Sequence, residues 1–369
     1  MKKLLAAAAL LVAPSLFAEP VTQATLLRYA EHASAQCPGQ SFKIEPIMQQ
    51  GPAGFDLFRI TQGSSDEYCA TQKLLLVSPK SGQTIFGMVI RLPEDTRPMM
   101  IRLAEHATTL LRAPVTARVA PISLPDGLKA VTMTRDTPWG HFPYDGFVDQ
   151  SEQFLIVGLR GSLKEAPEKT LRDQLGVSNG ARRGNPKAKN EIIELSDFEC
   201  PTCGNAHKKL EPLLEKNISK VNYVRLDLPL FEHHEWAFPA AMGARAIQRV
   251  APEKYWDYVN TIFANQQLLK KENIDAFIKN FCTDHDINWA AAEKIYASPS
   301  ERQALLDQVS RAFSAGISST PTYIINGEAM GFGPEGEFTI NSVRKAIGLP
   351  PVKIASVPAT KKKNGAAKQ

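Results

Sequence analysis

Apolar residues recur at helical spacing between Val21 and Ala35, where Leu26, Leu27, Ala30 and Ala33 share a face. The pattern then shifts to short apolar runs of strand character: Phe42 to Met48, Phe55 to Ile60, Leu74 to Val77 and Ile85 to Leu92. Turn signals such as Gly51-Pro52 and Ser81-Gly82 separate them. Helical spacing returns from Pro98 to Leu111. Strands are predicted again over Leu128 to Thr134 and Phe154 to Leu159, and a charged helical stretch runs from Ala166 to Leu175. The second passage echoes the first. Gly54-Phe55-Asp56-Leu57 has a counterpart in Gly127-Leu128-Lys129-Ala130, and Gly87-Met88-Val89-Ile90-Arg91 has one in Ile156-Val157-Gly158-Leu159-Arg160, roughly 70 residues later in each case. Either a strand-strand-helix unit is duplicated, or two β-rich segments resemble each other by chance.

Residues 177–189 lose all periodicity and are rich in Gly, Asn, Arg and Lys, which predicts a linker. An apolar strand follows over Glu191 to Phe198, then helical spacing from Ala206 to Leu214, and a mainly helical stretch over about 237–314. Its aromatic residues Trp236, Phe238, Trp256, Tyr258, Phe263, Phe277 and Phe281 read as core. Pro350-Pro351 closes the last helix, and the remainder is low in complexity. The expected organisation is an α+β N-terminal domain over 19–165, a linker helix and loop over 166–183, a second domain over 184–349, and a disordered basic tail over 350–369.

The chain opens with Met1-Lys2-Lys3, an apolar run from Leu4 to Val12 and small residues ending at Ala18, the pattern of a secretory signal peptide over 1–18. That run is too short to span a bilayer. Periplasmic or otherwise exported location, soluble after cleavage, is the expectation. The formal net charge of +5 owes two charges to Lys2 and Lys3 and five to the tail lysines 353, 361, 362, 363 and 368, so the body is slightly acidic and offers no basic face to a nucleic acid.

Five cysteines in an exported chain are either oxidised or kept redox-active. They are Cys37, Cys69, Cys200, Cys203 and Cys282, and the odd total leaves at least one without an intramolecular mate. Cys37 and Cys69 both lie in β-rich sequence with no other cysteine near, which predicts a structural disulfide within the first domain. Cys200-Pro201-Thr202-Cys203 sits between an apolar strand and a helix. A thiolate at a helix N-terminus meets unpaired N–H groups and the positive end of the dipole, which lowers its pKa below the free value of about 8.5. Cys200 is therefore the expected nucleophile and Cys203 the resolving thiol. Half of a structural zinc site looks the same, but the second pair of ligands is missing, and scattered residues such as Cys282, His207, His233, His234 and His285 substitute poorly. No metal and no cofactor are implied.

The run Ile192-Ile193-Glu194-Leu195-Ser196-Asp197-Phe198-Glu199-Cys200-Pro201-Thr202-Cys203 resembles the active-site strand of DsbA-like thioredoxin-fold proteins. Asn185-Pro186 before it agrees. So do Pro229-Leu230 with His234, and Gly316-Ile317-Ser318-Ser319-Thr320-Pro321-Thr322-Tyr323-Ile324-Ile325-Asn326-Gly327, which is similar to the family's cis-proline loop and hairpin. The resemblance implies an α/β thioredoxin fold with a helical insertion over 184–349 and a protein thiol-disulfide oxidoreductase activity. It implies a cis bond at Pro321 beside the dithiol, a Thr320 backbone free to pair with a substrate strand, and a buried acid at Glu194. Burial raises a carboxyl pKa, so Glu194 is expected to exchange a proton with Cys203. Asp197 and Glu199 are expected to be solvated, and Cys282 to be an inert buried thiol. Expected partners are cysteine-containing exported clients and a membrane redox partner that resets the dithiol.

An N-terminal α+β domain, a linker helix and a catalytic domain also resemble the architecture of DsbC and DsbG, and Thr320 resembles their residue before the cis-proline. That analogy implies that the first domain serves dimerisation, as a homodimer, or substrate binding. Pro201-Thr202 matches neither DsbA nor DsbC. Oxidation, reshuffling and reduction of client disulfides all remain open, and so does a redox-inert binding scaffold. With no ionisable donor between the cysteines, the expected reduction potential is roughly −200 to −130 mV.

Overall fold

The computed structural model describes residues 21–65, 71–333 and 335–353. Residues 1–20, over which a signal peptide is expected, Cys69 and nearly all of the basic tail lie outside them. The first half is α1 (Gln23–Ala33), β1 (Ser41–Pro46), β2 (Asp56–Gly63), β3 (Thr71–Val77), β4 (Gln83–Arg91), α2 (Met99–Leu111), β5 (Val115–Val119), β6 (Lys129–Thr137), β7 (Gly140–Val148) and β8 (Phe154–Ser162). The strands form one sheet in the order β1-β2-β3-β4-β8-β7-β6-β5, with every pairing antiparallel.

That order reads the same from either edge, because the chain runs twice through a helix followed by a four-stranded meander. Each helix makes its own small core. Leu26, Tyr29 and Ala30 of α1 pack with Ile60, Leu75, Val77 and Phe86, while Met99, Leu103 and Ala107 of α2 pack with Val115, Val131, Met133, Val148 and Leu155. The repeated unit is thus helix-first and longer than the strand-strand-helix unit expected. At the join, Gly87 of β4 faces Gly158 of β8. A Cβ on Gly87 would lie 2.1 Å from the Val157 carbonyl oxygen, and one on Gly158 2.4 Å from that of Phe86, so neither position accepts a side chain.

The second half begins with α3 (Pro167–Leu175) and continues through β9 (Ala181–Gly184), β10 (Asn190–Ser196), α4 (Pro201–Asn217), β11 (Val221–Asp227), α5 (Ala237–Val250), α6 (Tyr255–Ala264), α7 (Ile274–Asp284), α8 (Trp289–Tyr296), α9 (Pro299–Ser314), β12 (Thr322–Ile325), β13 (Glu328–Gly331) and α10 (Glu337–Ala346). Its sheet order is β13-β12-β10-β11-β9. β10 and β11 are parallel around α4, whereas β12 and β13 return antiparallel, with α5 to α9 inserted between the two motifs. Central β10 is buried from Ile192 to Ser196, as an apolar strand covered on both faces must be.

The stretch 177–189, expected as a linker, is part of this domain. Val177 and Ala181 are buried, and β9 pairs antiparallel with β11. Arg183 stacks 4.1 Å over Trp256 and pairs with Glu211. Nor is α3 a free connector, since Leu171 and Leu175 enter the second core. The β6–β7 hairpin docks the halves together. Trp139 stacks on Phe238 at 4.8 Å, Phe142 meets Phe231 and Phe313, and the Gln303 amide bonds both the N–H and the carbonyl of His141 at 3.2 and 2.7 Å.

Candidate active site

β10 delivers the chain to Ser196 and a short loop turns it into α4. Cys200 is the residue that caps this helix, with φ −63° and ψ 118°, and Pro201 occupies the first helical position, where its missing N–H costs nothing. Cys203, one turn in, is fully buried, while Cys200 keeps 7% of its surface exposed. Both are free thiols. The peptide bond between Thr320 and Pro321 is cis, and the Thr320 carbonyl oxygen lies 3.5 Å from the Cys200 sulfur.

The surroundings push the two thiols apart. Cys200 is drawn down to about 6, first by the hydrogen bond from the Cys203 thiol, with the Thr320 side chain and the N–H groups of Cys203 and Thr202 adding to it against the cost of burial. Cys203 is pushed up, first by burial and then by the charge and hydrogen bond of its neighbour, although the Asp197 N–H donates to its sulfur at 3.4 Å.

Asp197 is buried and Glu199 is half-buried, and both are hydrogen-bonded within the protein. Asp197 is 1% exposed and accepts from the N–H groups of Glu199 and Leu230 at 2.8 and 2.7 Å and from His234 Nδ1 at 2.7 Å. The His234 pKa is raised, first by this bond and, beyond it, by the nearby charges of Cys200 and Glu199. Glu199 accepts from the Trp236 and Ala237 N–H groups at 2.6 and 3.0 Å, holding the start of α5, and burial raises its pKa. Gln266, in the helical insertion, donates to the carbonyls of Phe198 and Cys200 at 2.8 and 2.9 Å. Nothing in its sequence context marks it.

Glu194 is buried beneath this loop, but its acidity runs opposite to expectation. Burial would raise its pKa, yet the Arg225 guanidinium 3.3 Å away and the Tyr223 hydroxyl outweigh burial and hold it low. Arg225 is itself fully buried, lies 3.2 Å from Asp227 and stacks 4.4 Å over Phe198. An ionised Glu194 locked to Arg225 has no proton to exchange near neutral pH. Cys282 is free and fully buried in the insertion core. Cys37 is disulfide-bonded; Cys69, the partner expected for it, lies outside the described residues.

Residues 177–348 match the family model described as Thioredoxin. The C-terminal half has a thioredoxin fold. Among solved structures, α-DsbA1 of Wolbachia pipientis is 21% identical, over 46% of this chain and 92% of that one, at a TM-score of 0.40. BdbD of Bacillus subtilis, in its oxidised form, is 17% identical over 47% and 92%, at 0.39. ScsC of Proteus mirabilis, in a transitional conformation, is 16% identical over 50% and 80%, at 0.40. Among curated proteins, the Na(+)/H(+) antiporter NhaA 3 of Salinispora tropica is 26% identical over 195 residues, which is 49% of this chain and 28% of the antiporter. NhaA 1 of Mycobacterium sp. strain KMS is 26% identical over 153 residues, 40% of this chain and 23% of that one. The matches thus span about a quarter of these curated relatives. No helix among the described residues is long and apolar enough to cross a membrane.

Proposed function

We propose that this chain is a protein thiol-disulfide oxidoreductase that oxidises or reshuffles disulfides of exported client proteins through Cys200 and Cys203. The observation that carries the reading is the unlike placement of two free sulfurs three residues apart: Cys200 caps α4 beside the Thr320 carbonyl with 7% of its surface open, while Cys203 is sealed one turn in. A structural bond needs no such contrast. Exchange does, because a thiolate attacks and the more stable thiolate leaves.

In the oxidising direction a client thiolate attacks Cys200 of the closed pair, the S–S bond breaks, and Cys203 leaves with the electron pair and takes up a proton. A second client thiolate then attacks the client sulfur of the mixed disulfide and expels the Cys200 thiolate. The client loses two electrons and the Cys200/Cys203 pair gains them. Stabilising the Cys200 thiolate favours this release and so favours the oxidant direction. The backbone of Thr320, before the cis proline, is the edge on which a client strand would pair.

Export rests on the pattern of Met1 to Ala18. A membrane partner that resets the dithiol and a homodimer formed through the first half complete the proposal. Equilibration with glutathione tests the direction, with a potential expected at roughly −200 to −130 mV. A value near the −270 mV typical of thioredoxin would make it a reductase. A closed pair that mild reductant cannot open would make it a scaffold.

A further inference from the structure

We infer that the first half carries the docking groove for client polypeptides, holding the apolar residues that flank the reacting client cysteine, with an acidic client residue set against Lys73. The inference rests on the redox reading above and names what the N-terminal half contributes to it. A groove of about 540 Å³ lies between the sheet of the first half, α2 and the end of α9, a size usual for a ligand cleft. Its walls include Met88 and Leu110, which are 55% and 57% exposed. Large apolar side chains left open in one concave place mark an interaction site, and methionine adapts to varied partners. The glycine pair Gly87 and Gly158 leaves part of the floor without side chains.

The groove does not end in the first half. It continues along Gly316 and Ser318, both exposed, on the segment that leads to Thr320, whose carbonyl stands beside the Cys200 sulfur. From Thr320 back to Gly316 is four residues, at most about 14 Å of chain. A client strand whose cysteine meets Cys200 therefore reaches the groove within about four residues.

Lys73 sits at that far end. Its ammonium lies 5.2 Å over the Phe86 ring and 3.6 Å from where a Cβ on Gly316 would be, and it has no ion-pair partner among the described residues. Burial lowers its pKa with nothing opposing. An amine in that state gains from an incoming carboxylate. His106 and Asp145 also line the groove.

The test uses the full chain and two synthetic dithiol peptides, one with Leu, Phe and an Asp flanking its cysteines and one with Ser in their place. The unmodified protein is first reacted with glutathione disulfide. Failure of Cys200 and Cys203 to exchange there overturns the redox reading, and docking falls with it. Given exchange, the expected result is that Leu110→Glu, and separately Met88→Glu, raises KM for the apolar peptide about tenfold relative to the Ser peptide. Lys73→Gln should reduce the preference for the Asp-bearing sequence. An unchanged KM ratio in both Glu variants overturns the groove as a client site. The same unchanged ratio, with a dimer turned to monomer in sedimentation, would assign the face to self-association instead.

Discussion

At Cys200 and Cys203, identical side chains acquire opposite acidities because the first accepts the hydrogen bond of the Cys203 thiol at the mouth of a helix and the second is sealed a turn inside it. The lowered thiol gives a measurable sign. An unfolded chain holds the Cys200 proton up to the ordinary thiol value of about 8.5, while the folded dithiol releases it near 6, so over that window the unfolded state binds more protons and the reduced fold gains stability as pH rises. That contribution is lost as pH falls through about 6. Thiolate absorbance of the reduced protein, minus that of the oxidised protein, should titrate with a midpoint close to 6; a midpoint near 9 would remove the basis for the assigned nucleophile. Glu194 gives a second case. Because Arg225 holds it ionised, Glu194→Gln should leave a buried guanidinium short of charge and cost about 3 kcal/mol in urea unfolding, the low end for a broken buried pair because Asp227 remains. A neutral effect on stability would return Glu194 to the role of a proton carrier. The dithiol was legible in the sequence because strand, cysteines and helix are contiguous. The partners of Asp197, Glu199 and Glu194 were not, since they come from β11, the loop after it and the start of α5, and only the parallel pairing of β10 with β11 brings them near.

Among the elements, the two helices that start beside the dithiol are held by different means. α4 begins on Cys200 with Pro201 in its first turn and no side-chain cap, so its free N–H groups face the sulfur. The N–H groups that open α5 are instead met by the Glu199 carboxylate. Glu199→Ala should therefore destabilise the chain by roughly 1 to 2 kcal/mol, the range for losing a good helix cap, as read by thermal or urea unfolding. A solvated surface glutamate would cost close to nothing. Element legibility follows the same division between local and distant causes. Strands dominated by apolar residues, such as β4 and β10, are readable from pattern. β7 is not, because Gly140, Pro143, Asp145 and Gly146 interrupt it, and its place is set by pairing along its whole length with β6. β9 hides in a basic stretch whose Arg183 is met by Glu211 and Trp256, far along the chain. The duplicated unit shows in sequence only near the glycines, because Gly87 and Gly158 are held by backbone contact, whereas the helices and outer strands of the two copies tolerate different apolar sets.

The molecule as a whole is two halves sharing one core, since Phe142 and Leu159 of the first sheet belong to the same buried cluster as the dithiol and α5 to α9. Independent domains joined by a linker would unfold separately. Here Phe142 is 1% exposed and wedged among Tyr144, Phe231 and Phe313, so truncation opens a cavity at the junction itself. Phe142→Ala should cost about 3 to 5 kcal/mol. Because the cavity is shared, urea unfolding followed by tryptophan fluorescence and by hydrogen exchange of the β2 and β3 amides should show both halves shifting together. A transition that moves in one half while the other stays in place would mean that the hairpin contact is incidental. Coupling also bears on function. The groove has one wall in α2 and the other in α9 and the loop toward Thr320, so it exists only while the halves are docked. A variant that loosens the Phe142 contact without unfolding either half should lose its preference for apolar peptides and keep exchanging with glutathione, since the two sulfurs and the cis-proline loop all belong to the thioredoxin domain.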